Sequence, residues 1–185
     1  MRLDGTTAVV TGASSGMGKA MATAFVEEGA NVVFSSYEAG PLDDAVAAAV
    51  GDGSLSATTE GQRAAREASL HVVIVPTLLD EDDRPDLSAV EAVVDDISTG
   101  LEPGDTVFLE STLPPCTCTD IVQPRLVERS GVDADAFGLA FCPERTSSGR
   151  ALEDIAGSYP KIVGGIDEES TRVAELVYGE ITSND

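Results

Sequence analysis

Three glycines near the amino terminus have a spacing that could hold a phosphate group. The stretch from Thr11 to Ala20 reads TGASSGMGKA, with the order Gly12-x-x-x-Gly16-x-Gly18. Glycines let the backbone approach a pyrophosphate closely, and the N–H groups of a helix N-terminus bind the anion. We therefore predict a dinucleotide-binding turn. Its cofactor-binding residues would be Gly12, Ser14, Ser15, Gly16, Met17 and Gly18.

Small, polar or charged residues also follow three later strand-like runs. Pro76-Thr77 follows HVVIV, Glu110-Ser111-Thr112 follows DTVFL, and Pro143-Glu144-Arg145 follows FGLAFC. Ligands of doubly wound sheets bind beyond the carboxyl ends of the parallel strands, where these residues are expected. A carboxylate beside an apolar strand can take up a proton, so Glu144 is a candidate base. The alternative for Glu144 is a surface ion pair with Arg145.

Strand-like runs alternate with helical patterns along the chain. Strands are predicted at 7–11, 31–35, 55–59, 71–75, 105–109, 137–142 and 161–163. Helical patterns follow the glycine turn up to Gly29 and are also predicted after Pro41 and at 60–68, 88–97, 119–129 and 168–178. Ser88 and Glu91 have the spacing of a capping box. The predicted fold class is α/β: a Rossmann-like, doubly wound, mainly parallel sheet in a single domain, residues 1–185.

The charge balance excludes some classes of partner. The chain has 33 acidic and 11 basic residues, a formal net charge of -22, which argues against nucleic acid as a partner and is typical of proteins adapted to high salt. No apolar run approaches the roughly 18 residues of a membrane span, so we expect a cytoplasmic protein without a membrane partner.

The cysteines and the one histidine do not predict a metal site. Cys116, Cys118 and Cys142 are an odd number of cysteines in a chain without an export signal, so disulfides are not expected. Cys116-x-Cys118 lacks a second Cys/His pair, because His71 is the single histidine and opens an apolar run. We expect no bound metal.

The first 37 residues, with TGASSGMG, resemble the glycine-rich head of the short-chain dehydrogenases. That family's catalytic pair is a tyrosine followed four residues later by a lysine. The positions four residues after Tyr37, Tyr159 and Tyr178 hold proline, valine and threonine instead. A short-chain reductase therefore remains only an alternative interpretation.

Residues 38–185 resemble the NAD-dependent nucleotide-sugar dehydrogenases, which oxidise UDP-glucose, UDP-N-acetylmannosamine or related sugars to uronic acids. The resemblance rests on GPLDDAVAAAVGDGSLSAT, VIVPTLLDEDDRPDLSAVEAV, VFLESTLPP and FGLAFCPERTSSGRALEDI, in this order. CPERTSSGR favours the UDP-N-acetylmannosamine branch. The resemblance implies a domain that binds NAD and a UDP-sugar substrate. A homodimer is compatible with the resemblance but is not implied by it.

The resemblance also implies a role for individual residues. Pro76 and Thr77 would contact the cofactor, and Ser111 and Thr112 would lie beside the nicotinamide, Thr112 also placing a water. Glu144 would be the general base or orient water in the hydrolysis of a thioester intermediate. Residues Arg145, Thr146 and Ser147 would line the substrate side with Glu144.

Several positions depart from the family pattern. Leu78 replaces the second proline of the usual PTP element, and Cys116 stands where glycine usually follows ESTxPP. The family's catalytic cysteine, with its assisting lysine and asparagine, lies in a C-terminal half beyond Asp185. We therefore expect the chain to supply the cofactor-binding half and to be inactive alone; a catalytically silent dinucleotide-binding module or a truncated product is the alternative.

The end of the second strand bears on the choice of cofactor. Ser35-Ser36-Tyr37 stands where an acidic residue usually binds the ribose, with Glu38 just beyond, and no nearby basic residue could receive a 2′-phosphate. The sequence therefore favours NAD over NADP.

Overall fold

The computed structural model describes Leu3 and residues 5–11, 16–35, 51, 53, 55–143 and 160–181. Within this part of the chain, seven strands form one sheet, in the order β3-β2-β1-β4-β7-β8-β9. The strands are β1 (Thr7–Thr11), β2 (Asn31–Ser35), β3 (Leu55–Thr58), β4 (Leu70–Val73), β7 (Thr106–Leu109), β8 (Gly138–Phe141) and β9 (Gly164–Gly165). All neighbours are parallel except β8 and β9. The predicted doubly wound, mainly parallel sheet is confirmed.

Helices cover both faces of the sheet. They are α1 (Gly16–Glu27), α2 (Gly61–Glu67), α3 (Ser88–Ser98), α4 (Gln123–Ser130) and α5 (Glu168–Ile181), with a π-helical turn at Cys118–Val122 leading into α4. A two-stranded antiparallel hairpin, β5 (Leu78–Leu79) and β6 (Pro85–Asp86), lies between β4 and α3. No helix among the described residues is long and apolar enough to cross a membrane.

Two apolar layers hold the sheet between its helices. Side chains on a strand alternate between the two faces, so neighbouring strand residues enter different layers. Val72 and Phe108 pack with Phe25 of α1 and Tyr178 of α5. Val73, Val107 and Leu109 belong to the second layer, with Val90 and Val94 of α3 and Leu126 of α4. The near-continuous apolar strands of the sequence are those that a parallel sheet covered on both faces requires.

Two local predictions differ from the structure. Residues 161–163 precede the short edge strand β9 instead of forming a strand. Ser88 is the first residue of α3 and caps nothing with its side chain; its N–H donates to Asp86 Oδ1 at 2.9 Å. Pro124 lies in the first turn of α4, directly after the π-helical turn at Cys118–Val122. The helix predicted after Pro41 lies almost wholly outside the described residues.

Candidate functional site

The carboxyl ends of β1, β4, β7 and β8 lie side by side at one edge of the sheet. These four strands are consecutive in the sheet and parallel, so the residues that follow them meet at this edge. Pro76-Thr77 follows β4, Ser111-Thr112 follows β7, and Pro143 follows β8. The structure therefore places these candidate residues on one rim, which we call the carboxyl edge. Glu144, Arg145, Thr146 and Ser147 lie outside the described residues.

Helix α1 begins at this edge, directly after β1. Gly16 opens the helix, and Gly18 is buried in its first turn. No acidic residue lies in that first turn, although acidic residues outnumber basic ones three to one, 33 to 11, in the whole chain. The N–H groups of a helix N-terminus carry partial positive charge, which an acidic neighbour would offset. This end of α1 therefore fits the pyrophosphate of a dinucleotide. Gly12, Ser14, Ser15 and the Met17 side chain lie outside the described residues.

Two hydroxyl groups fix the backbone that leads to Pro76-Thr77. Thr11 Oγ1, at the end of β1, accepts the N–H of Ile74 at 2.7 Å. Ser111 Oγ accepts the N–H of Val75 at 2.9 Å and donates to the Val75 carbonyl oxygen at 2.8 Å. The chain after β4 is thus held from both neighbouring strands.

These bonds separate the candidate residues into two kinds. Ser111 is buried and its hydroxyl is engaged with Val75, so it holds the backbone that leads to Thr77. Thr112 and Pro76 are exposed and Thr77 is half-buried, which leaves them accessible from the edge. Sequence reasoning placed Ser111 beside the cofactor and did not foresee its bonds to Val75.

Sequence reasoning gave no role to Glu110, which is wholly buried directly after β7. Its Oε2 lies 2.5 Å from Lys161 Nζ, and its Oε1 accepts the hydroxyl of Tyr178. Lys161 Nζ also donates to the Cys142 carbonyl oxygen at 2.7 Å and lies 4.7 Å from the Tyr178 ring centroid. One signal was available: the chain has only two lysines, Lys19 and Lys161, and a buried carboxylate at the end of DTVFL needs a cation.

The surroundings of this ion pair raise the pKa of two neighbouring groups. Burial, followed by the charge of Glu110, raises the pKa of Tyr178. Burial, again followed by Glu110, raises the pKa of Cys142 to about 12. Burial alone raises the pKa of Cys118 to about 11. Because the thiolate is the reactive form of cysteine, neither Cys142 nor Cys118 is suited to be a nucleophile.

Cys116 lies in a turn with an unusual backbone. It is exposed and has a φ of 67°, in the left-handed region that favours glycine. Its carbonyl oxygen accepts the N–H of Asp120 at 2.8 Å, at the start of the π-helical turn. This φ explains why the family pattern usually has glycine after ESTxPP. Cys116 adopts the same conformation with backbone strain.

The fold and the carboxyl edge define the class of protein. The strand order β3-β2-β1-β4-β7-β8 with helices on both faces, and the glycine-rich sequence between β1 and α1, are those of a Rossmann-type dinucleotide-binding domain. The model of the UDP-glucose/GDP-mannose dehydrogenase family, NAD binding domain, matches residues 21–182. The chain belongs to this family. The predicted resemblance to the nucleotide-sugar dehydrogenases is confirmed, the cofactor of the domain is NAD, and the short-chain reductase alternative is not favoured.

Relatives with curated descriptions agree with this family. The NDP-N-acetyl-D-galactosaminuronic acid dehydrogenase of Ralstonia solanacearum is 34% identical over 145 residues, which is 74% of this chain and 33% of that protein. The UDP-N-acetyl-D-mannosamine dehydrogenase of Methanocaldococcus jannaschii is 29% identical over 136 residues, 72% of this chain and 29% of that protein. The chain thus spans about a third of the length of these relatives.

Solved structures show the same fold. The UDP-D-ManNAc dehydrogenase of Pyrococcus horikoshii superposes with a TM-score of 0.84 at 23% identity, covering 96% of this chain and 45% of that one. The NDP-N-acetyl-D-galactosaminuronic acid dehydrogenase of Methanosarcina mazei Go1 gives a TM-score of 0.81 at 26% identity, covering 96% and 42%.

Proposed function

We propose that this chain is the cofactor-binding half of an enzyme that oxidises the primary alcohol of a UDP-sugar to the uronic acid. The substrate would be of the UDP-N-acetylmannosamine or UDP-glucose type. The family match and the names of the relatives support the reaction. The observation that carries the proposal is the meeting of the α1 N-terminus with the Thr77 and Thr112 loops at one edge of the sheet.

Each group at this edge has a distinct task in the proposal. The first turn of α1 and the glycines before it bind the pyrophosphate through backbone N–H groups. Thr77 and Thr112 offer hydroxyl groups at the nicotinamide end, on loops that Thr11 and Ser111 hold in place. Bound NAD supplies a hydride acceptor. From the family resemblance, Glu144 takes up a proton or orients water, and Arg145, Thr146 and Ser147 contact the substrate.

We further propose that the isolated chain binds the cofactor without completing the oxidation. The chain spans about a third of the length of its curated relatives. Two-step oxidation to an acid uses a covalent intermediate on a thiol, which the family resemblance assigns to a segment beyond residue 185. A catalytically silent binding module is the second candidate. The match to only about a third of each relative's length supports it equally.

The test measures binding and turnover separately on the purified chain in concentrated KCl. NADH fluorescence titration should show saturable binding, and addition of UDP-N-acetylmannosamine or UDP-glucose with NAD should give no NADH. Thr112→Ala should weaken NADH binding several-fold. The matched control is Thr99→Ala, an exposed threonine that follows α3 and should leave the affinity unchanged. Lack of NADH binding by the unaltered chain would reject the proposed function. Turnover of a UDP-sugar would reject the proposal that the isolated chain is inactive.

A further inference from the structure

The charged group at the ends of β7 and β8 is not explained by the packing of the core. A wholly buried glutamate and a lysine whose side chain is 18% exposed meet at 2.5 Å, at the edge where the candidate site lies. Burying an ion pair removes two charges from water, which offsets much of the attraction between them, so such a pair is weak support for stability alone. A neutral, apolar pair would fill the same space.

The positions of the partners give the pair a mechanical role. Leu109 and Phe141 are paired in the ladder, and Cys142 donates its N–H to the Leu109 carbonyl oxygen at 2.8 Å. Glu110 and Cys142 are therefore neighbours at the ends of two parallel strands. Lys161 comes from the chain before β9, on the far side of β8, and its side chain reaches across the end of β8 to Glu110.

We propose that Lys161 and Glu110 are positioning residues that hold the Ser111-Thr112 loop and the start of the Pro143 segment in one arrangement for cofactor binding. This inference rests on the proposed function for its functional readout. One ammonium group binds the carboxylate next to Ser111 and the carbonyl oxygen next to Pro143. Tyr178 of α5 donates to the same carboxylate, which fixes its orientation from the helix side.

The hydrogen bonds of the loop continue this connection toward Thr77. Glu110 donates its backbone N–H to the Val73 carbonyl oxygen at 3.0 Å, and Ser111 binds both backbone groups of Val75. A displacement of Glu110 therefore reaches the end of β4 as well as the loop after β7. Three of the four strand ends of the carboxyl edge depend on one ion pair.

The test uses Lys161→Met, Glu110→Gln and the double variant in the full chain. Each single variant should raise the dissociation constant for NADH on the order of tenfold, and the double variant by about the same factor instead of the hundredfold expected for independent sites. The double variant leaves no unpaired buried charge. It decides the question if Lys161→Met alone does not fold.

A matched control comes from a second ion pair, which joins α3 to α4. Arg125 of α4 bonds to Glu91 at 2.9 Å and to Asp95 at 2.5 Å, both in α3. Arg125→Met should lower the unfolding midpoint without changing NADH affinity. Unchanged NADH affinity in the folded double variant would overturn the inference, and so would an equal loss of affinity in Arg125→Met.

Hydrogen exchange of the backbone separates this inference from the proposed function. In the Lys161→Met and double variants, peptides that contain residues 110–113 should exchange on the order of tenfold faster than in the parent, whereas Arg125→Met should not change them. If the parent chain does not bind NADH, the proposed function fails. The exchange measurement still shows whether the Lys161–Glu110 pair holds the Ser111-Thr112 loop. Unchanged exchange at 110–113 would overturn it.

Discussion

Replacing His71 by leucine should stabilise this protein, although the histidine is completely buried. His71 lies in β4 between Val9 of β1 and Val107 of β7, with 0% exposure. Neither ring nitrogen has a hydrogen-bond partner. The carboxylate oxygen Asp105 Oδ2 lies 3.9 Å from Nε2, beyond hydrogen-bond distance, and already accepts the N–H of Glu102 at 2.8 Å. At least one ring N–H is therefore buried without an acceptor.

The expected gain follows from the size of this penalty. A buried polar group without a partner costs about 1–3 kcal/mol, and leucine removes it while keeping an apolar side chain of similar volume. A branched side chain in place of a flat ring packs imperfectly, which lowers this gain by up to roughly 1.5 kcal/mol. With the middle of each range, we expect a net increase of about 1 kcal/mol in the free energy of unfolding, or about 0.5 M in the urea midpoint.

Urea unfolding followed by circular dichroism, in the same KCl buffer for all variants, measures this change. His71→Gln keeps polar atoms at the site and should give no gain, which makes it the control. A loss of stability in His71→Leu would refute the argument. It would mean that the imidazole makes a favourable contact with its surroundings that leucine cannot replace.

Three further predictions concern a helix cap, a strained turn and the net charge. Asp167→Ala should cost about 1 kcal/mol, because Asp167 Oδ1 accepts the N–H of Ser170 at 2.7 Å in the first turn of α5. The hydrogen bonds from Ser170 lower the pKa of Asp167 below 3.8, so this stability is present above the unfolded-state pKa and is lost as the pH falls through the folded-state pKa. The urea midpoints of parent and Asp167→Ala should therefore converge in acid, and a constant difference would contradict the cap. Cys116→Gly should raise the free energy of unfolding by up to about 1 kcal/mol, because glycine adopts a φ of 67° without strain. Part of this gain is lost, because glycine gives the unfolded chain more conformational freedom. Cys116→Ala should leave stability unchanged, and a destabilised Cys116→Gly would show that the turn is not strained. Raising KCl from about 0.2 M to about 2 M should raise the urea midpoint, because salt screens the repulsion within a chain of net charge -22. A midpoint that falls with KCl would show that attractive ion pairs outweigh this repulsion.

Much of the fold could be predicted from local patterns. The runs at 7–11 and 31–35 coincide with β1 and β2, and the other parallel strands differ from their predictions by one or two residues at an end. Apolar runs of strand length, separated by helical spacings, admit few arrangements other than a parallel sheet covered on both faces. The family motifs then predicted which edge of the sheet carries the cofactor site.

Prediction failed where one local pattern had two outcomes. Ser88-x-x-Glu91 has the spacing of a capping box, yet Asp86 receives the N–H of Ser88 and Leu87 precedes the helix. Which residue precedes the first turn of α3 depends on where the β5–β6 hairpin ends. The spacing between Ser88 and Glu91 does not specify that position. Cys116 is a similar case, because its residue type gives no sign of a positive φ.

The sequence by itself determined the class of fold and the family, and it predicted the edge of the sheet where the cofactor binds. These properties follow from backbone periodicity and from motifs a few residues long, which are readable without knowing any contact. Only the tertiary structure decided that Ser111 holds the Val75 backbone and that Lys161 pairs with Glu110 across β8. The paired residues are 36 and 51 positions apart in the chain. Strand order and register bring them together, and these depend on how the whole sheet packs against its helices.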